Sequence, residues 1–212
     1  MTVTVWHPLF SRYPELHTLE AELDAALRIC LTVYRGGGKL LLCGNGGSAA
    51  DCDHIVGELM KGFMKKRPLS ADECARFEAA LPGEGRLLAA RLQASLPAIS
   101  LSAHAALCTA VANDLDAELV YAQQVLGYAQ PGDALIAIST SGNSANVMRA
   151  AQAARAAGIP VIGMTGRSGG RLAALCDAAI SVPADTTPDV QERHLPIYHA
   201  LCIAIEEALF AS

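Results

Sequence analysis

The stretch Ala134-Leu135-Ile136-Ala137-Ile138-Ser139-Thr140-Ser141-Gly142-Asn143-Ser144 passes from five apolar residues to six small ones rich in hydroxyls, and an Ala-rich segment, Ala145 to Ala157, follows directly. An unbroken apolar run with no alternation reads as a strand buried on both faces, the mark of a parallel sheet. The polar run is then the turn from that strand into a helix. The first N–H groups of a helix lack partners and carry partial positive charge, so hydroxyls and free amides meet at one point and would hold a phosphate group. Gly142 lets the backbone come close. One Ser or Asn suffices as an N-cap; Ser139, Thr140, Ser141 and Ser144 together exceed that need.

The same alternation extends in both directions. Short apolar runs at Lys39 to Cys43, Pro97 to Leu101, Val161 to Thr165 and Ala178 to Val182 are each edged by Gly, Pro or polar residues. Helical stretches read as Pro14 to Tyr34, Ser48 to Lys61, His104 to Ala112, Asp116 to Ala129, Ser144 to Ala157, Gly170 to Leu175 and Asp189 to Phe210. Strand alternating with helix predicts right-handed βαβ units and a three-layer α/β sandwich, doubly wound in the flavodoxin manner, with five parallel strands. Residues 69–94 interrupt the pattern as a charged excursion with two helical pieces, Ser70 to Leu81 and Gly85 to Ala94, broken at Pro82-Gly83. It reads as a surface decoration, a lid or an oligomer arm on one domain spanning residues 1–212.

After the first strand, Gly44-Asn45-Gly46-Gly47-Ser48-Ala49 matches the G-x-G-x-x-A dinucleotide fingerprint. That fingerprint also needs an acidic residue about 20 positions on, at the end of a second strand. Here the region reads Met64-Lys65-Lys66-Arg67, with no strand before it. A turn that lets substrate hydroxyls approach the backbone fits better, and no nucleotide cofactor is expected.

On the next helix Asp51, His54 and Glu58 fall at i, i+3 and i+7 and share a face. Such a stripe is either a solvated surface or one wall of a site, since ligands of open α/β sheets bind at the carboxyl ends of the strands. The last helix carries Gln191, Glu192, His194 and His199, with Pro196 removing a backbone donor among them. Gln191 and His199 are about two turns apart and lie within roughly 80° of each other. His194 points away, so His199 is the site candidate and His194 the structural one.

Composition narrows the class. With 52% hydrophobic and 17% charged residues, the chain suits a sheet covered on both faces and leaves apolar helix surface for further copies of itself. A net charge of -5 without a basic stripe argues against nucleic acid. Seven cysteines, widely spaced and never in a C-x-x-C pair, argue against a disulfide framework and fit a reducing cytoplasm. Neither an export signal nor a membrane span is expected.

Taken together, Cys43 to Ser48, Asn113-Asp114, Ser139 to Ser144 and Gln191 through His199 resemble the sugar isomerase (SIS) domain family, over most of the chain from about Gly36 onward except 69–94. The resemblance implies a homotetramer with sites between subunits. It also implies interconversion of sedoheptulose 7-phosphate and a heptose 7-phosphate. By matching positions, Ser139, Thr140, Ser141 and Ser144 would contact the phosphate, and Asn45, Gly46, Gly47, Asn113 and Asp114 the sugar hydroxyls. Glu58 and His199 would be the acid/base pair. Some relatives hold zinc with residues matching His54, Glu58, Gln191 and His199. The chemistry suits those groups, because a ketose becomes an aldose by moving a proton between neighbouring carbons through an enediol, which needs an acid, a base and a donor or metal for the oxyanion.

Two departures bear on the substrate. Residues 69–94 have no counterpart in the pattern and could reshape the pocket, and Thr186-Thr187-Pro188 ahead of Gln191 could alter one sugar contact. Two other readings keep the same fold: an isomerase of a pentose or hexose phosphate, and a non-catalytic protein that senses a sugar phosphate or binds a replication initiator.

Overall fold

The computed structural model describes residues 5–210. Five strands, β1 (Leu40–Cys43), β2 (Ala98–Ser100), β3 (Ala134–Ile138), β4 (Val161–Thr165) and β5 (Ala178–Ser181), form one parallel sheet in the order β2-β1-β3-β4-β5. The expected apolar runs supply all of them. Within a strand successive side chains alternate between the two faces, and the burial follows. Leu40, Leu42, Ile136 and Ile138 enter one core; Leu41, Cys43, Leu135 and Ala137 enter the other. The first core is closed by helices α2 (Glu20–Arg35), α3 (Gly47–Met60) and α9 (Thr187–Leu209). The second is closed by α6 (Ala105–Asp114), α7 (Val120–Tyr128) and α8 (Ala145–Ala156). Each fully buried Leu or Ile in these layers contributes about 1.5–3 kcal/mol.

Strand order reverses between β1 and β3, where a doubly wound sheet opens a crevice at its carboxyl edge. The Gly44 turn leaves β1 and the Ser139 turn leaves β3, so both predicted loops border that crevice.

Several boundaries differ from the sequence reading, each for a local reason. Pro14 to Leu19 is a 3-10 turn ahead of α2, and a short helix α1 (His7–Arg12) precedes it. Asp116 does not begin a long helix: its carboxylate accepts from Glu118 N–H at 2.8 Å and caps a 3-10 turn, Ala117–Leu119, before α7 starts. Gly170 to Leu175 shrinks to a 3-10 turn at Ala173–Leu175, because Leu172 N–H goes to Gly142 O and Arg171 N–H to Asn143 Oδ1 instead of to a helix ladder. The last helix begins at Thr187, with Thr186 as its N-cap and Pro188 in its first turn.

The excursion holds α4 (Ala71–Ala80) and α5 (Gly85–Ala89). A capping box between Ser70 and Glu73 starts α4, and the Glu78 carboxylate accepts from Gly83 and Arg86 N–H to close the hairpin. The second piece stops at Ala89 rather than Ala94. Beyond it the chain returns to the body, where Ala94 N–H bonds Arg67 O and Gln93 Oε1 accepts from Gly62 and Arg67 N–H. No helix among the described residues is long and apolar enough to cross a membrane.

Candidate active site

The turn after β3 gathers its serine hydroxyls, and Ser141 Oγ accepts from Asn143 N–H at 3.2 Å. Gly142 has φ 63°, and a Cβ there would strike Gly169 O, so only glycine fits. Gly166 N–H donates to Thr140 O and Leu172 N–H to Gly142 O, which fixes two of the turn's carbonyls. Asn143 is spent on the loop itself: its Nδ2 donates to Ser141 O and its Oδ1 accepts from Arg171 N–H. Ser144 is the N-cap residue of α8 yet makes no side-chain cap hydrogen bond. Its hydroxyl pairs instead with Ser139 Oγ at 3.0 Å. The capping interpretation therefore fails for Ser144, and two paired hydroxyls face the mouth of a helix N-terminus.

Across the crevice Gly46, at φ 55°, turns the chain into α3. Asn45 and Asn146 exchange amide hydrogen bonds of 2.8 and 2.9 Å, which ties the Gly44 turn to the helix behind the Ser139 loop. Tyr121 Oη reaches Gly44 O and Asn45 Oδ1 from α7. Neither Asn146 nor Tyr121 stood out in the sequence; each is one of several polar residues on its helix, and only its partner reveals its role. At Gly47 an added Cβ would run into the Gln191 side chain, so α9 closes on this turn. The strand beside β1 ends in Ser100, whose hydroxyl meets Ser102, and presents no carboxylate to a ribose.

The polar stripe of α3 meets α9. His54 Nε2 lies 3.2 Å from Glu58 Oε1 and 3.5 Å from His199 Nε2. Tyr198 Oη donates to Asp51 Oδ1 and sits 3.0 Å from His54 Nδ1, so its lone pair faces that nitrogen and turns Nε2 toward Glu58 and His199. Lys61 Nζ holds the other Glu58 oxygen at 3.0 Å. Burial lowers the His199 pKa and the neighbouring His54 adds to this, against the pull of Glu58. Burial also raises the Asp51 carboxyl, partly offset by the Tyr198 hydrogen bond. The stripe is thus a wall of a cluster and not merely a solvated face. Sequence spacing revealed His54 and Glu58 but neither Tyr198 nor Lys61.

His194 is buried, donates from Nε2 toward Thr165 O at 3.2 Å and takes no part in the cluster. Asn113 and Asp114 sit exposed at the end of α6, and the side-chain hydrogen bond recorded for them is the one they make with each other. Thr186-Thr187-Pro188 serves to start α9, where the Thr186 hydroxyl accepts from Asp189 N–H.

The family model described as "SIS domain" matches residues 12–91 and 85–166. The phosphoheptose isomerase of Nitratiruptor sp. is 45% identical over 190 residues, covering 90% of this chain and 88% of that one. That of Rhodospirillum rubrum is 42% identical over 175 residues, covering 82% and 79%. Among solved structures, the phosphoheptose isomerase of Neisseria gonorrhoeae matches with a TM-score of 0.68 at 31% identity, covering 95% of this chain and 99% of that one. The one from Francisella tularensis matches with a TM-score of 0.76 at 28% identity, covering 94% and 92%. A parallel sheet in this order, a hydroxyl loop free of capping duty and these relatives agree: the chain belongs to the SIS domain family, among the phosphoheptose isomerases.

Proposed function

We propose that this protein isomerises sedoheptulose 7-phosphate to D-glycero-D-manno-heptose 7-phosphate. The approach of both Glu58 and His199 to His54 within 3.5 Å carries the reading. The phosphate docks on the hydroxyls of Ser139, Thr140, Ser141 and Ser144 and the first amides of α8. Asn45, Gly46 and Gly47 take sugar hydroxyls. Glu58 removes the proton from C1 of the ketose, and the same carboxyl returns it to C2. His199 moves protons between the two oxygens of the enediol.

Zinc is part of the proposal. Two atoms bound at about 2.0–2.1 Å to a tetrahedral zinc stand about 3.3–3.4 Å apart. The His54 to Glu58 and His54 to His199 separations of 3.2 and 3.5 Å match that spacing, and Tyr198 orients the His54 ring as an outer partner of a ligand would. Among the described residues no group of three His, Cys, Asp or Glu lies close enough together to hold a metal ion by itself, and Gln191, the fourth candidate, rests on Gly47. His54, Glu58, Gln191 and His199 would hold the ion, which would supply Lewis-acid polarisation of the substrate carbonyl. Metal analysis of the purified protein, with a melting shift on adding zinc, tests this apart from turnover.

The same reading takes residues 1–212 as one SIS domain, cytoplasmic and assembled as a homotetramer. Seven free cysteines support a reducing compartment, and exposed Leu87, Leu115 and Leu126 offer surface for further copies. Sedimentation velocity reads the assembly. For the activity, heptose, hexose and pentose ketose phosphates are compared for turnover and thermal shift. Turnover greatest with sedoheptulose 7-phosphate is expected, and preference for a pentose or hexose would reassign the substrate.

A further inference from the structure

Arg67 and Glu206 form an ion pair at 2.7 Å in which both side chains are wholly buried. Sequence reading left Arg67 as the end of a basic run and Glu206 as one acid on the last helix. Every side of the pair is satisfied. Glu206 Oε1 accepts from Phe63 N–H and Arg67 Nε, and Oε2 from Met64 and Lys65 N–H. Arg67 Nη1 donates to Leu59 O at 2.8 Å, Nη2 approaches Glu58 O at 3.4 Å, and the guanidinium lies over the Phe210 ring. Burial opposes charge on Glu206, but the Phe63 and Met64 amides and the guanidinium outweigh it and hold the carboxyl below its usual range.

Buried ion pairs seldom add stability over apolar side chains of the same volume, so this one invites a question about geometry. Three of its contacts lead to the cluster. The carbonyls that Arg67 caps are those of Glu58 and Leu59, at the end of α3. The amide of Phe63 is held by Glu206, and the Phe63 ring lies tilted against His199 with centroids 5.5 Å apart. Glu206 follows His199 by seven residues on α9, so it holds this turn from the same helix face.

We infer that the Arg67–Glu206 pair is a positioning device that holds the Glu58 end of α3 and the Phe63 ring in register with His199. Its effect on turnover rests on the isomerase reading; its effect on His199 does not. The phosphate loop is built from other segments and shares no contact with the pair.

The test uses the full chain with Arg67→Lys, which keeps the charge but loses the fork, and Glu206→Gln, which keeps the shape. Steady-state kinetics on sedoheptulose 7-phosphate, melting curves and NMR of the histidine Cε1–H resonances are read together. In whichever variant folds, kcat is expected to fall about tenfold to a hundredfold. KM should stay within about twofold, the pattern of lost transition-state contacts rather than lost binding. The His199 resonance should move in the direction produced by Phe63→Leu, while those of His17 and His104 stay in place. A folded variant with wild-type kcat, or with an unmoved His199 resonance, overturns the inference. So does failure of both variants to fold, which would make the pair a requirement of the fold alone. If the wild type itself shows no turnover, the isomerase reading fails and the His199 resonance alone decides.

Discussion

The Ser139 to Ser144 loop and the Glu58–His54–His199 cluster are made in opposite ways. The loop is local: six consecutive residues, a glycine at φ 63° and the head of the following helix form it almost unaided. The cluster is assembled from α3 and α9, with His54 and His199 145 positions apart in the sequence. Binding is therefore encoded by a motif, whereas the chemistry depends on tertiary packing and on the buried pair that holds two helix ends together. Damage to the loop should weaken substrate affinity, and damage to the cluster should slow the reaction at saturating substrate.

The largest expected effect follows from His199→Asn. General acid–base groups contribute about 10²–10⁴-fold, so kcat should drop by that factor with KM nearly constant. Steady-state kinetics checks it, and a change confined to KM would erase the division between the two regions.

His194, on the same helix but outside the cluster, sharpens the contrast by affecting stability. Burial lowers its pKa from 6.5 to about 4, partly offset by the Thr165 carbonyl. The unfolded chain then binds the proton more readily than the folded one. Stability is full above pH 6.5 and is lost as pH falls toward 4, by about 3 kcal/mol in all. Chemical denaturation from pH 7 to 4 should show this slope in the wild type and a reduced one in His194→Gln.

Gly142→Ala forces a side chain into a left-handed conformation and against Gly169 O. Such strain costs about 1–3 kcal/mol, and because it falls on the loop it should appear as a raised KM with kcat kept. The smallest expected effect is from Asn146→Ala, which removes the amide pair that steadies Asn45. A net hydrogen bond is worth about 0.5–1.5 kcal/mol, so KM should rise a few fold.

How much could be read beforehand follows from the same division. Every strand was visible because doubly buried strands are unbroken apolar runs, and the phosphate turn was visible because its parts are contiguous. Helix ends were misjudged where a side chain or a distant loop captured the backbone, as Asp116 did for Glu118 and Asn143 did for Arg171. In the cluster, helical spacing exposed His54, Glu58 and His199, since residues on one face repeat at fixed intervals. Tyr198, Lys61, Tyr121 and Asn146 gave no such signal. Arg67 and Glu206 were hidden by their surroundings, a Lys65-Lys66-Arg67 run that resembles solvated surface and a glutamate that resembles the tail of an amphipathic helix. A clue was available: Glu206 directly follows Ala204 and Ile205, both on the buried side, where an unpaired carboxylate would be costly.

The most direct measurement is proton NMR of sedoheptulose 7-phosphate incubated with wild type and with Glu58→Gln, alongside the thermal shift each protein shows with that compound. The account predicts that both proteins bind it, that the wild type produces the anomeric proton signals of the aldose, and that Glu58→Gln leaves the ketose unchanged. Aldose formation by Glu58→Gln at the wild-type rate would contradict it.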